Sequence, residues 1–64
     1  MPKIDLSIGD AIIVNDNRWR VTAINNKDRE PHVIASAIDP EQFGAISMSA
    51  VFGLNILQRA GYVK

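Results

Sequence analysis

Trp19 lies between Arg18 and Arg20, and this triplet is the strongest chemical signal in the 64-residue chain. An aromatic ring flanked by guanidinium groups is suited to stacking on a base and contacting a phosphate. In an alternating strand the same residues divide, so that Trp19 enters a core and the arginines lie on the solvated face. Two guanidinium groups on one face can also bind a phosphate or carboxylate through paired hydrogen bonds. We favour the core position for Trp19 and keep both arginines as candidate partner-binding residues.

A polar loop over residues 25–32 supplies a second set of candidates. Lys27, Arg29 and His32 could extend the two arginines into a basic rim for a partner. Asp28 and Glu30 are interleaved with them, so a solvated hairpin tip with nearly cancelling charges is the alternative. His32 as a general base would need a nucleophile or an orienting group, and the sequence offers no obvious one. We therefore expect no catalytic role for it.

Single aromatic and hydroxyl residues complete the candidates. Phe43 falls in a polar turn and could contact a partner, whereas Phe52 is expected either in the core or in the wall of a groove. Ser47 and Ser49 would share the outward face of one strand, where they could bind a ligand or be ordinary exposed positions. Because the chain has no cysteine, one histidine and no phosphate-binding loop, we expect no metal, no cofactor and no catalytic constellation.

Six short apolar runs, each ended by turn residues, predict an all-β chain. The runs are Ile4–Ile8, Ala11–Val14, Trp19–Ile24, Val33–Ile38, Ala45–Met48 and Leu54–Leu57. A β-bulge near Thr22 or Ala23 is expected, because without it Ile24 would fall on the arginine side of its strand. Residues 50–53 fit one turn of 3₁₀ helix before the last strand. Residues 1–8 form an N-terminal strand or arm, and residues 60–64 a loose tail.

The chain is short enough for one domain spanning 1–64, and it is rich in aliphatic residues. Hydrophobic residues make up 47% of it, with only 6% aromatic. A barrel of this size has room for roughly a dozen inward side chains, so some aliphatic residues must face outward. We expect a homo-oligomer that buries Ile13, Ile34, Ile38 and Leu57.

The charge balance and the lengths of the apolar runs limit which kinds of partner and which cellular compartment are expected. Seven Lys and Arg balance seven Asp and Glu, which weakens the case for a protein that coats nucleic acid. No apolar run approaches the length of about 18 residues that spans a membrane. No apolar segment of about 7–15 residues follows the first three residues, so no signal peptide is expected. A cytoplasmic location is the prediction.

The order of elements resembles the SH3-like barrel group, which includes KOW, Tudor and small phage or plasmid domains. The resemblance spans Leu6 to Gln58 and implies a small barrel of five to six strands with one 3₁₀ turn before the last strand. The residues that carry it are Gly9, Asp10, Ile12, Val14, Trp19, Val21, Ile46, Val51 and Leu54. Its motifs are at the level of fold, so they imply architecture and not activity.

One member, the plasmid type II dihydrofolate reductases, is similar at Gly9-Asp10, at Trp19 and at residues 51–54. These enzymes assemble as tetramers around a pore that carries a Val-Gln-Ile-Tyr run. Aligned without gaps from Leu54, that run falls on residues 46–49, which read Ile-Ser-Met-Ser, and the family's strand lysine falls on Val14. The groups that bind substrate are thus replaced, so we do not expect an enzyme.

Three functions follow, in order of preference. The first is a non-enzymatic, oligomeric binding module, such as a phage or plasmid accessory protein that engages a macromolecular partner. The second is a nucleic-acid-binding barrel of the KOW or Tudor kind. The third is an oligomeric reductase with a shared pore. The candidate partner-binding residues are Arg18, Arg20, Lys27, Arg29, His32 and Phe43.

Overall fold

A four-stranded antiparallel sheet forms most of the computed structural model, which describes residues 3–27 and 29–64. The strands are β1 (Ala11–Val14), β2 (Asn17–Asn25), β3 (His32–Ala37) and β4 (Ser49–Gly53), and they lie side by side in that order. A 3₁₀ turn, Pro40–Phe43, lies between β3 and β4, and one helix, α1 (Leu54–Ala60), follows β4. The predominance of β structure is confirmed.

The β1–β2 hairpin turns through two residues with positive φ, Asn15 at 53° and Asp16 at 66°. Val14 and Asn17 pair directly across this turn. Two left-handed residues in a two-residue loop match the right-handed twist of the flanking strands, and Asn and Asp tolerate that conformation. The turn residues that follow the apolar run Ala11–Val14 in the sequence therefore form a hairpin turn.

A shift of register between Val21 and Ala23 confirms the predicted bulge. Val21 pairs with Ala35 before the shift, and Ala23 pairs with Ile34 after it. Thr22 is the extra residue, and its Oγ1 donates a hydrogen bond of 3.0 Å to the carbonyl of Ile34. The bulge places Ile24 on the inner face of the sheet, where it packs against the core.

The core lies against one face of the sheet, and Trp19 is part of it. Trp19 is buried and meets Phe52 edge to face at 5.1 Å between ring centroids. The core position favoured for Trp19 and the one expected for Phe52 are therefore confirmed, although Phe52 lies in strand β4 and not in a 3₁₀ turn. The buried residues are Ile4, Ile12, Val14, Trp19, Val21, Val33, Ala35, Phe52 and Leu57.

The strand predicted over residues 45–48 does not form. The 3₁₀ turn ends at Gly44, which has a left-handed φ of 68°, and the backbone N–H of Ala45 bonds back to Pro40. The chain thus rejoins the sheet only where Met48 accepts a hydrogen bond from Ala37. Ile46, which would lie on the inner face of that strand if Ser47 and Ser49 lay on its outward face, is 99% exposed.

The end of the chain differs most from the prediction. Residues 50–53, predicted as a 3₁₀ turn, belong to β4, and the predicted last strand is helix α1. A Schellman motif ends this helix: Gly61 has a φ of 91° and bonds to Gln58, while the N–H of Tyr62 bonds to Leu57. Leu57 is fully buried beneath the sheet, so its predicted exposure in an oligomer interface is wrong.

The predicted loose tail is also wrong, because residues 62–64 pair with residues 3–5. Lys3 and Lys64 exchange two backbone hydrogen bonds of 2.9 Å, and Asp5 donates to Tyr62 at 2.8 Å. Ile4, between these bonds, is buried in the core. Residues 3–5 are therefore held by the C-terminal segment, and Ile4 and Val63 form an isolated antiparallel bridge.

Replacing Leu57 by Ala should lower the free energy of unfolding by about 2–5 kcal/mol, since the side chain fills the core. Ile56→Ala, one residue earlier on the more exposed side of α1, should cost less than about 1 kcal/mol. Urea denaturation followed by circular dichroism measures both. Equal losses would contradict the helical placement of this pair.

Candidate functional site

The face of the sheet opposite the core, called the outer face here, mixes aliphatic, basic and small polar side chains. Its rows follow the strand pairing, with Ile13 beside Arg18, Arg20 beside Ser36, and Ile34 beside Val51. The outer face comprises Ala11, Ile13, Arg18, Arg20, Ala23, Ile34, Ser36, Ser49 and Val51.

Ile34 and Val51 form the apolar centre of the outer face. They are direct cross-strand partners on β3 and β4, and they are 38% and 62% exposed. Two adjacent exposed aliphatic side chains indicate an interaction surface better than isolated ones, because single exposed apolar residues are common on any protein surface. This pair marks the part of the outer face best suited to contact another molecule.

A cleft of about 600 Å³, called the end cleft here, adjoins this pair at the Gly53 end of β4. Its lining includes the apolar residues Val51, Leu54 and Ile56 together with Arg29 and His32. Apolar walls with a few polar groups are typical of sites that bind ligands or peptide segments.

A second depression, of about 650 Å³, lies beside the end cleft and includes Lys27, His32 and Ile34 in its lining. Because His32 lines both hollows, the three predicted residues of the loop, Lys27, Arg29 and His32, come together at one end of the sheet. The His32 ring places Nδ1 2.9 Å from the backbone carbonyl of Glu30, a local contact within the loop.

Arg18 and Phe43 lie near the opposite end of β2, roughly 25 Å from that loop along the strand at about 3.3 Å per residue. Arg18 forms a 2.7 Å salt bridge with Asp39. Phe43 is 37% exposed and covers the Trp19 ring, with 5.6 Å between centroids. The predicted partner-binding residues are thus divided between two regions of the molecule.

Arg20 is engaged within the chain as well. Its Nη1 donates a hydrogen bond of 2.9 Å to the carbonyl of Gly9, in the turn before β1. Gly9 has a φ of 96°, which glycine adopts without a steric penalty. Arg18 and Arg20 share a face, but one bonds to a carboxylate and the other to backbone, so they are not arranged as a paired clamp.

The predicted oligomer residues have different environments. Ile13 and Ile34 are exposed on the outer face, as expected, with Ile13 58% exposed. Ile38 is partly buried, and Leu57 lies in the core. Ser47 and Ser49 are both exposed, but only Ser49 belongs to a strand.

A neutral segment was missed by the sequence reasoning. Residues 42–58 contain no Asp, Glu, Lys, Arg or His, so every charged side chain lies outside this stretch. The segment includes strand β4 and the exposed side chains of Phe43, Ile46, Val51 and Ile56. The spacing of charges along the sequence would have revealed it.

Within residues 3–27 and 29–64, no group of three or more His, Asp or Glu side chains is placed to hold a metal ion. The same part of the chain contains no helix with the length and apolar character needed to cross a membrane.

Comparison with known proteins gives no relative: no family model matches the chain, and no curated protein or solved structure shows significant similarity to it.

The salt bridge between Arg18 and Asp39 should contribute little to stability, because both side chains are open to solvent. A double-mutant cycle with Arg18→Ala and Asp39→Ala is expected to give a coupling energy of about 0.2–1 kcal/mol. The coupling should shrink in 1 M NaCl, where the screening length is about 3 Å. A coupling above about 2 kcal/mol that salt leaves unchanged would contradict this view.

Proposed function

We propose that the chain is a small non-enzymatic module that binds a protein partner through its outer face and end cleft. The observation that carries the proposal is the exposed pair of Ile34 and Val51, which continues into the apolar lining of the end cleft. Burial of apolar surface is the main favourable term in protein association. A role as an accessory protein that modulates a larger partner suits a module of this size.

The arrangement of side chains supports a protein partner. Interfaces typically have an apolar centre and a polar rim that stays accessible to water. Here Ile34, Val51 and Ile56 supply apolar contact, while Arg29 and His32 lie at the border of the end cleft. Arginine at the border can pair with a carboxylate on the partner and so orient the complex.

The area of a standard protein–protein interface indicates how much of this molecule's surface a partner would cover. A standard interface takes about 800 Å² from each protein. This is about a sixth of the 4686 Å² accessible surface of the chain. A partner of that kind would have to cover the outer face and the end cleft together, which is why both belong to the proposed site.

A nucleic-acid-binding role ranks second. Binding of a phosphate backbone requires cations free to replace its counterions. Arg18 is paired with Asp39, Arg20 is bonded to the Gly9 carbonyl, and the chain has no net charge. Lys27 and Arg29 would be left as the main contacts of the predicted basic rim.

At the level of fold, the proposed relationship is to the SH3-like barrel group, with a helix in place of the last strand. The antiparallel order of the strands and the bulge in β2 support this relationship. So does helix α1, which packs near both β1 and β4, the two edge strands that a last strand would join in a closed barrel.

Ile34→Glu should weaken binding of the protein partner about tenfold or more, because a carboxylate would be placed in the apolar centre of the interface. The partner is identified by affinity purification from source cells, then purified and titrated by calorimetry. The matched control is Ile8→Glu, a change at an isoleucine that is 69% exposed but lies off the sheet. Equal affinity of wild type and Ile34→Glu would overturn the proposed site.

Fluorescence anisotropy with mixed-sequence DNA and RNA tests the second function. We expect no binding even at low salt, because the chain has no net charge and the two arginines beside Trp19 are engaged by groups of the chain itself. Binding whose affinity falls steeply with added salt, and falls again in a Lys27→Ala/Arg29→Ala variant, would favour the nucleic-acid role over a protein partner.

A further inference from the structure

We propose that strand β4 pairs antiparallel with β4 of a second copy of this chain, which joins the two sheets into one of eight strands. The contact uses the free edge of the sheet, whereas the partner proposed above covers the outer face; the two surfaces share Val51. Self-association is thereby placed at a surface other than the aliphatic residues predicted from sequence.

The backbone of β4 directs hydrogen-bonding groups away from the sheet. Met48 accepts a hydrogen bond from Ala37, which fixes the alternation of bonded and non-bonded pairs between β3 and β4. By that alternation Ala50 and Phe52 bond to β3, whereas the N–H and C=O groups of Ser49 and Val51 point to the free edge. Among the described residues, β3 is the only strand that pairs with β4.

The opposite edge of the sheet, strand β1, is protected in a way that the β4 edge is not. On β1, the outward N–H of Ile13 donates a hydrogen bond of 3.0 Å to the Tyr62 hydroxyl. The C-terminal segment that carries Tyr62 is itself held by backbone hydrogen bonds to residues 3–5, so this edge is covered by the chain. An outward row of unpaired backbone groups is a template for another strand, and proteins usually block it with charge, proline, a bulge or a cover. β4 contains no charged residue and no proline, and its register with β3 is regular.

A second copy is the occupant that the charges favour. A two-fold axis across β4 brings each residue close to its own counterpart, so any charge on the strand would meet a like charge. The neutral segment of residues 42–58 has none, and this symmetric contact is therefore free of direct repulsion. A partner recognised through charge would instead require a charged edge.

The exposed apolar side chains near β4 supply contact area. Val51 is 62% exposed on the strand, and Ile46, just before it, is almost fully exposed. With the axis near Val51, the side chain would meet the partner's Val51 on the outer face. A five-residue strand is about 17 Å long, so Ile46 and Met48 must contribute for the contact to approach about 800 Å² on each copy. Because β1 is protected, pairing ends at a dimer and does not propagate.

Sedimentation velocity across micromolar concentrations tests the inference, with an expected mass about twice the chain mass of 7.1 kDa. Val51→Lys should weaken self-association about a hundredfold, because two ammonium groups would meet near the axis. Ile13→Lys is the matched control: it adds the same charge to the same face, at 58% exposure, on the protected edge. It should change the dimerisation constant less than about threefold.

A second pair of variants tests the backbone directly. Val51→Pro removes an N–H that points to the free edge, and such a position tolerates proline, so the variant should fold and be monomeric. Ala50→Pro removes an N–H bonded to β3 and should unfold the domain, as circular dichroism would show. A wild-type monomer at every concentration would overturn the inference, as would a dimer that Val51→Lys leaves intact and Ile13→Lys dissociates.

Discussion

The bulge at Thr22 is the constraint on which the two faces of the sheet depend. With one extra residue in β2, Ile24 joins the core opposite Val33, and Ala23 moves to the outer face beside Ile34. A regular strand would reverse both positions, since a shift of one residue exchanges the faces. The hydrogen bond from Thr22 Oγ1 to the Ile34 carbonyl fixes the bulge at the centre of the proposed binding surface. Core and surface are therefore set by the same local feature.

The sequence predicted the parts of the fold that depend on local pattern. The alternation of apolar and polar residues placed Trp19 inward and Ile13 outward. Strict alternation would also put Ile24 on the arginine side of its strand, and this indicated the bulge. The residues from Leu54 to Leu57 were predicted as a strand because a short apolar run fits a strand or a helix equally well, and the glycine that ends the helix, Gly61, lies four residues beyond the run. The pairing of residues 3–5 with 62–64 joins segments far apart in sequence, so no local pattern could reveal it.

The candidate site was predicted less well, because the prediction rested on charged residues whereas the proposed surfaces are mostly neutral. The arginines beside Trp19 looked like a binding pair, but each is held by a group of its own chain, Asp39 or the Gly9 carbonyl. The proposed surfaces depend on neutral residues instead, and the strength of neutral contacts comes from burial, which requires a three-dimensional arrangement to judge. Exposure of Ile34 was predictable from sequence, whereas the open edge of β4 was not.

The two backbone hydrogen bonds between Lys3 and Lys64 have a consequence for engineering. A hydrogen-bonded antiparallel pair places its Cα atoms about 5.5 Å apart, so the polypeptide enters and leaves the domain at nearly one point. A host protein could carry this domain within a surface loop without separating the strands on either side of the insertion. A short peptide from Lys64 to Lys3, in place of residues 1 and 2, would likewise give a circular chain, which could be reopened in the long connection between β3 and β4.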